Sequence, residues 1–174
     1  MGVVNRRKSL VVANVILIIG GLSWGLYLLG MARSKADYVT DRVGETPLPC
    51  TWMALGAPGV ASLGLSHEPD HSWSDRKTAY LAFRAPPLPQ GGSVEVELIA
   101  LLGKRMDIIV RGESGQTRAQ AGGIHRVALA PADRPTVRII EFRSRRMQPP
   151  AAGGDSRWLG AAISRFRTCP AGAG

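Results

Sequence analysis

Hydrophobic and polar positions obey three different rules along this chain, and each rule predicts a different kind of element. From Leu10 to Met31 the only polar groups are Asn14, Ser23, the indole edge of Trp24 and the hydroxyl of Tyr27, so a helix here is close to apolar all round. A helix of that length spans roughly 33 Å against about 30 Å of bilayer hydrocarbon, which predicts a single transmembrane helix over 10–31. Residues 32–49 are polar, mixed in charge and end in Thr46-Pro47-Leu48-Pro49, the pattern of a tether. Beyond Cys50 the period becomes two. In Ser93-Val94-Glu95-Val96-Glu97-Leu98 the apolar positions alternate with acids, as a half-buried strand requires. Further strands are predicted over Ala79–Phe83, Met106–Arg111, His125–Leu129, Thr136–Phe142 and Leu159–Phe166, each bounded by Gly- or Pro-rich breakers. Leu159, Ala162, Ile163 and Phe166 would also fit one short helix, but no segment after the apolar run keeps a 3.6 period for three turns. The pattern predicts an all-β, antiparallel fold over 50–170, a sandwich or jelly roll, preceded by one transmembrane helix. A basic tail over 1–9 and a frayed tail over 171–174 complete the division.

Composition agrees that something folds: of 174 residues 45% are apolar and 20% charged, too apolar for wholesale disorder. Arg6-Arg7-Lys8 lies directly before the apolar run. A cleaved signal peptide shares that charged start, but its apolar region is usually about 7–15 residues, which favours an uncleaved signal anchor. Both readings export the remainder. The consecutive basic residues ahead of the helix, against Arg33, Lys35 and Arg42 interleaved with acids behind it, place the N-terminus in the cytoplasm. The expectation is a single-pass protein with an exported C-terminal domain. Within the helix Gly21 and Gly25 stand at i and i+4, a face on which a second helix could pack; incidental glycines in a lipid-facing anchor are the other reading.

The two cysteines, Cys50 and Cys169, sit at either edge of the exported domain. In an oxidising compartment a bridge between them would clamp its first and last strands, and closing a loop of about 120 residues is worth up to roughly 5 kcal/mol. Two unrelated thiols are the alternative. Neither has a second Cys or His at zinc-ligand spacing.

Candidate chemistry is sparse. His67-Glu68-Pro69-Asp70-His71 gathers imidazoles and carboxylates, but Pro69 works against the helix that would put both histidines on one face, so a solvated loop is the expectation. The chain has no Gly-x-Ser-x-Gly elbow, phosphate-binding loop or dinucleotide fingerprint, and no catalytic residue, cofactor or metal is expected. From Lys104 onward there are 13 basic and 5 acidic residues, with Arg143, Arg145 and Arg146 clustered. Export argues against nucleic acid as the partner and leaves anionic lipid, an acidic glycan, an acidic subunit or a merely solvated face. Trp52, Trp73, Tyr80 and Trp158 are the candidates for stacking on a sugar ring, each with a core position as its alternative role.

The stretch Gln148-Pro149-Pro150 followed by Asp155-Ser156-Arg157-Trp158-Leu159-Gly160 and Ala161 to Phe166 resembles the ending D-x-R-x-L-G plus strand of a jelly-roll domain. That domain is appended to bacterial glycosyltransferases and other cell-envelope polysaccharide-biosynthesis proteins. Of the architectures the pattern allows, the resemblance selects the jelly-roll sandwich. Leu63-Gly64-Leu65 to Glu68-Pro69, then Trp73-Ser74, is similar to its opening, so the resemblance covers most of 63–167, although Leu65 stands where an aromatic is common. No glycosyltransferase domain accompanies the module, which implies that polymer chemistry belongs to another polypeptide. Asp155 and Arg157, two apart in an extended segment, point the same way and would brace the turn into the final strand ahead of Leu159 and Gly160. The resemblance implies a non-enzymatic accessory subunit of a membrane glycosyltransferase, polysaccharide synthase or exporter that contacts the enzyme or the emerging glycan, with its anchor in a bacterial inner membrane and its domain in the periplasm. An independent carbohydrate-binding module and a small glycan-acting enzyme using Glu68 and Asp70 are the other readings.

Overall fold

The computed structural model describes residues 20–28, 35–149 and 156–172. Among these, ten strands build two five-stranded antiparallel sheets packed as a sandwich. They are β1 (Ala61–Leu63), β2 (Leu65–His67), β3 (Ser72–Ser74), β4 (Thr78–Ala85), β5 (Gly92–Leu101), β6 (Met106–Val110), β7 (Gln116–Ala119), β8 (Gly123–Leu129), β9 (Thr136–Ser144) and β10 (Ala161–Pro170). The first sheet has the order β1-β4-β9-β6-β7 and the second β2-β3-β10-β5-β8. The pairing is nested: β3 lies beside β10, β4 beside β9, β5 beside β8 and β6 beside β7.

The period-two pattern decides what each strand buries. Val94, Val96 and Leu98 of β5 point into the sandwich and are at most 2% exposed, while Glu95 and Glu97 leave on the other side. Phe83 of the first sheet meets Phe166 of the second with ring centroids 5.1 Å apart, and both are buried. Rings so placed are worth about 3–5 kcal/mol each against alanine.

The six predicted strands exist, mostly a residue or more longer than expected. The last of them runs Ala161–Pro170, so the helical alternative for Leu159 to Phe166 does not hold. Its length carries Cys169 to Cys50, and the two form a disulfide with Cα atoms 4.8 Å apart, spanning 119 residues. Four strands escape the sequence pattern. β1, β2 and β3 have three residues each, too few to display an alternation, and β7 reads Gln-Thr-Arg-Ala. Between β1 and β2 the chain changes sheets at Gly64, whose φ of +74° suits a residue without Cβ.

The expected tether is corrected from Tyr38 onward, where the chain belongs to the compact sandwich unit. Val39 is fully buried against Tyr80, Ala61 and Ala82 on the outside of the first sheet, and Leu48 joins the main core. The Leu48 N–H donates to the Arg84 carbonyl at 2.9 Å, and Arg84 Nε donates to the Gly44 carbonyl at 3.1 Å. Apolar side chains within a polar stretch overrode its composition. Of the expected span 10–31 only 20–28 is described; it is helical, and a Cβ added at Gly21 or Gly25 would meet no described atom within 4 Å apart from its own chain neighbours and helix backbone. The rest of that span lies outside the described residues, among which no helix is long and apolar enough to cross a membrane.

Candidate functional site

Alternation along the strands of the second sheet collects one set of side chains on its outer face. Trp73 comes from β3, Arg165 and Arg167 from β10, Glu95 and Glu97 from β5, Ile124 and Arg126 from β8. Register sets Glu95 opposite both Arg167 and Arg126, and Glu97 opposite Arg165. The Glu95 carboxylate accepts from Arg167 Nε at 2.7 Å on one oxygen and from Arg126 Nε at 2.8 Å and Nη2 on the other. Glu97 accepts from Arg165 Nε at 2.6 Å and more loosely from its Nη2 at 3.5 Å. Burial pushes the Glu95 carboxyl up, but the hydrogen bonds from Arg167 and Arg126 together outweigh it and hold the group below the ordinary glutamate value.

Trp52 reaches this face from outside the named strands. Its neighbour Met53 makes an antiparallel bridge to Phe166, exchanging N–H···O bonds of 2.8 and 2.9 Å, which lays Trp52 beside β10. The guanidinium carbons of Arg165 and Arg167 then sit 4.7 and 4.8 Å from the indole centroid, within cation–π range. At the disulfide end a groove of about 660 Å³ opens, lined by Ser93, Glu95, Gln116, Arg126 and the chain around Cys169.

The other aromatic candidates have different surroundings. Trp73 is half-buried on the same outer face, with the His71 ring edge-on at 5.5 Å. Tyr80 belongs to the first sheet, is only 8% exposed and packs in the cluster with Val39, so it has little ring face for a sugar. Trp158 is 64% exposed, one residue before the buried Leu159. The structure therefore brings Trp52 and Trp73 to one sheet and puts Tyr80 on the other.

The histidine-rich stretch forms the β2–β3 hairpin beside a cleft of about 270 Å³. His67 contacts Ser62 Oγ through Nε2 at 2.8 Å and Ser72 Oγ through Nδ1 at 2.7 Å. His71 sits between Asp70, 2.6 Å from Nδ1, and Glu68, 3.4 Å from Nε2; Arg157 Nη2 donates to Glu68 at 3.0 Å. The hydrogen bond with His71 lowers the Asp70 carboxyl below the usual aspartate value. Both carboxylates of the enzyme reading are thus tied to one imidazole, and Ser72 is buried. Among the described residues no group of three or more His, Cys, Asp or Glu side chains is arranged to hold a metal ion.

Asp155, the expected partner of Arg157, lies outside the described residues. The rest of that motif is built into the end of the sandwich. Leu159 is fully buried and exchanges backbone hydrogen bonds of 3.1 and 3.0 Å with Gln148. Gly160 donates to the Ser74 carbonyl at 2.8 Å, and a Cβ there would stand 2.2 Å from Ser144 Oγ and 2.5 Å from Ser74 Oγ. Only glycine fits between those two hydroxyls.

Glu95, Glu97, Arg126, Arg165 and Arg167 were not singled out as site residues by sequence reasoning. A signal existed: Glu-Val-Glu at 95–97 and Arg-Phe-Arg at 165–167 carry opposite charges at the same period of two, the pattern of neighbouring strands that pair face to face.

Fold and site together define a disulfide-closed antiparallel β-sandwich with one charged, aromatic outer face. The chain matches no family model, no curated protein and no solved structure.

Proposed function

We propose that this chain is a non-enzymatic, membrane-anchored accessory subunit of a polysaccharide-synthesising glycosyltransferase or export complex, whose sandwich contacts the enzyme or the emerging glycan. The observation that carries the proposal is the outer face of the second sheet, where Trp52 and Trp73 share one surface with a groove and a row of arginines. Sugar rings are recognised by aromatic faces bordered by polar donors, and this face supplies both. The nested strand pairing supports the finer reading of the sandwich as a jelly roll, a long hairpin of strand pairs rolled into two sheets. A formed disulfide supports an oxidising compartment, consistent with a periplasmic domain behind a cytoplasmic N-terminus and an inner-membrane anchor. The non-enzymatic reading draws support from Glu68 and Asp70 both being engaged by His71.

The test is purification of the full chain in detergent, with envelope glycan binding and co-purifying proteins measured for wild type and Trp73→Ala. The wild type should retain glycan or a membrane glycosyltransferase, and Trp73→Ala should weaken glycan binding several-fold, since a stacked ring is worth about 1 kcal/mol. Absence of both, together with a glycan-cleaving activity that Glu68→Gln abolishes, would replace this reading with the enzyme.

A further inference from the structure

Resting on the glycan-contact reading, we infer that the outer face of the second sheet is a site for an acidic polysaccharide, whose carboxylates are held by Arg126 and Arg167. Trp52 serves this site as a support. Arg165 and Arg167 lie over its ring, so it packs against guanidiniums before any sugar arrives. Glu95 and Glu97 fix the same side chains from below. Such holding removes rotamer entropy that a ligand would otherwise have to overcome, and a guanidinium fixed through Nε keeps its outer N–H groups for a second carboxylate.

Charge decides which forks have capacity left. Arg165 and Glu97 cancel one for one. The row Arg167, Glu95, Arg126 has two guanidiniums for one carboxylate, and that carboxylate is only 7% exposed, so ligands meet the arginines rather than the acid. Arg126 is 65% exposed and lines the groove, while the Nη atoms of Arg167 are not used by Glu95. Gln116 and Ser93 add amide and hydroxyl groups there for sugar hydroxyls. Arg126 and Arg167 come from the strands on either side of β5 and converge on the one Glu95 carboxylate, so their guanidiniums form a compact, doubly cationic patch beside the groove. A concave, hydroxyl-seeking groove also fits an uronic-acid chain better than a flat lipid surface.

The experiment titrates the full chain in detergent with polygalacturonate, dextran, a DNA duplex and phosphatidylglycerol vesicles. Polygalacturonate should bind, weaken as salt rises, and lose about tenfold in affinity with Arg126→Gln, whose melting temperature should stay near wild type because the side chain is mostly exposed. Arg126→Lys should recover part of the loss. Polygalacturonate binding indifferent to Arg126→Gln would overturn the inference, as would tighter Arg126-dependent binding to DNA or vesicles. Binding of dextran but not polygalacturonate would overturn it while leaving the glycan-contact reading intact; binding of no glycan at all would sink both.

Discussion

The two sheets present opposite solutions on their outer faces. β4, in the first sheet, reads Thr-Ala-Tyr-Leu-Ala-Phe-Arg-Ala and is apolar on both sides: Ala79, Leu81 and Phe83 enter the core, while Tyr80 and Ala82 are covered from outside by Val39. β5, in the second sheet, is apolar on one side only, and its outward Glu95 and Glu97 are covered by nothing larger than the arginines that pair with them. A continuous apolar strand demands a lid, whereas an alternating one leaves its second face available for solutes. The available face is where the aromatics and the groove occur.

The contrast can be broken from either side. The largest effect should come from Cys50→Ser with Cys169→Ser, which releases a closure of 119 residues; the loss is up to about 5 kcal/mol in the chain-entropy model. Denaturant midpoints of the variant against oxidised wild type would measure it. Tyr80→Ala removes most of the apolar filling under the lid of the first sheet and should cost about 3 kcal/mol by the same measurement. Val39→Ala trims two methyl groups from the lid itself, for about 1.6 kcal/mol. On the open face the effects are smaller and depend on pH. Glu95 has its carboxyl lowered in the fold, so its contribution is present above the ordinary glutamate range and is lost as pH falls through the depressed value. Glu95→Gln should flatten the acid side of a stability–pH profile. Arg126→Gln should change stability least, by about 1 kcal/mol, because the guanidinium is largely in water and Arg167 still holds the buried Glu95 carboxylate. An Arg126→Gln loss as large as that of Tyr80→Ala would erase the distinction between the two faces.

Much of this architecture could be read in the residues, for identifiable reasons. Six long strands, the sandwich and the disulfide follow from period-two stretches and from cysteines placed at the edges of one domain. The polar stretch 38–49 misled because Val39 and Leu48 are isolated apolar residues, and isolated residues show no period. The short strands β1 to β3 depend on pairing with distant chain, such as Leu63 with Tyr80 and Ser72 with Ile163, which local sequence does not record. The aromatic candidates were visible as types but not as places. Trp52 acquires its surroundings from β10, more than a hundred residues away, through a two-bond bridge at Met53. Gly160 likewise gains its meaning only when Ser74 and Ser144 converge on it.

The disulfide also sets how the domain would carry a mechanical load. Tension entering through the chain ahead of Cys50 is handed by the sulfur bridge to β10, the middle strand of the second sheet, flanked by β3 and β5. Once Val39 and Leu48 have come away from the first sheet, the pull passes β1 to β4 by and arrives at a strand hydrogen-bonded on both sides. A domain fastened in this way resists being peeled open strand by strand from its N-terminal edge.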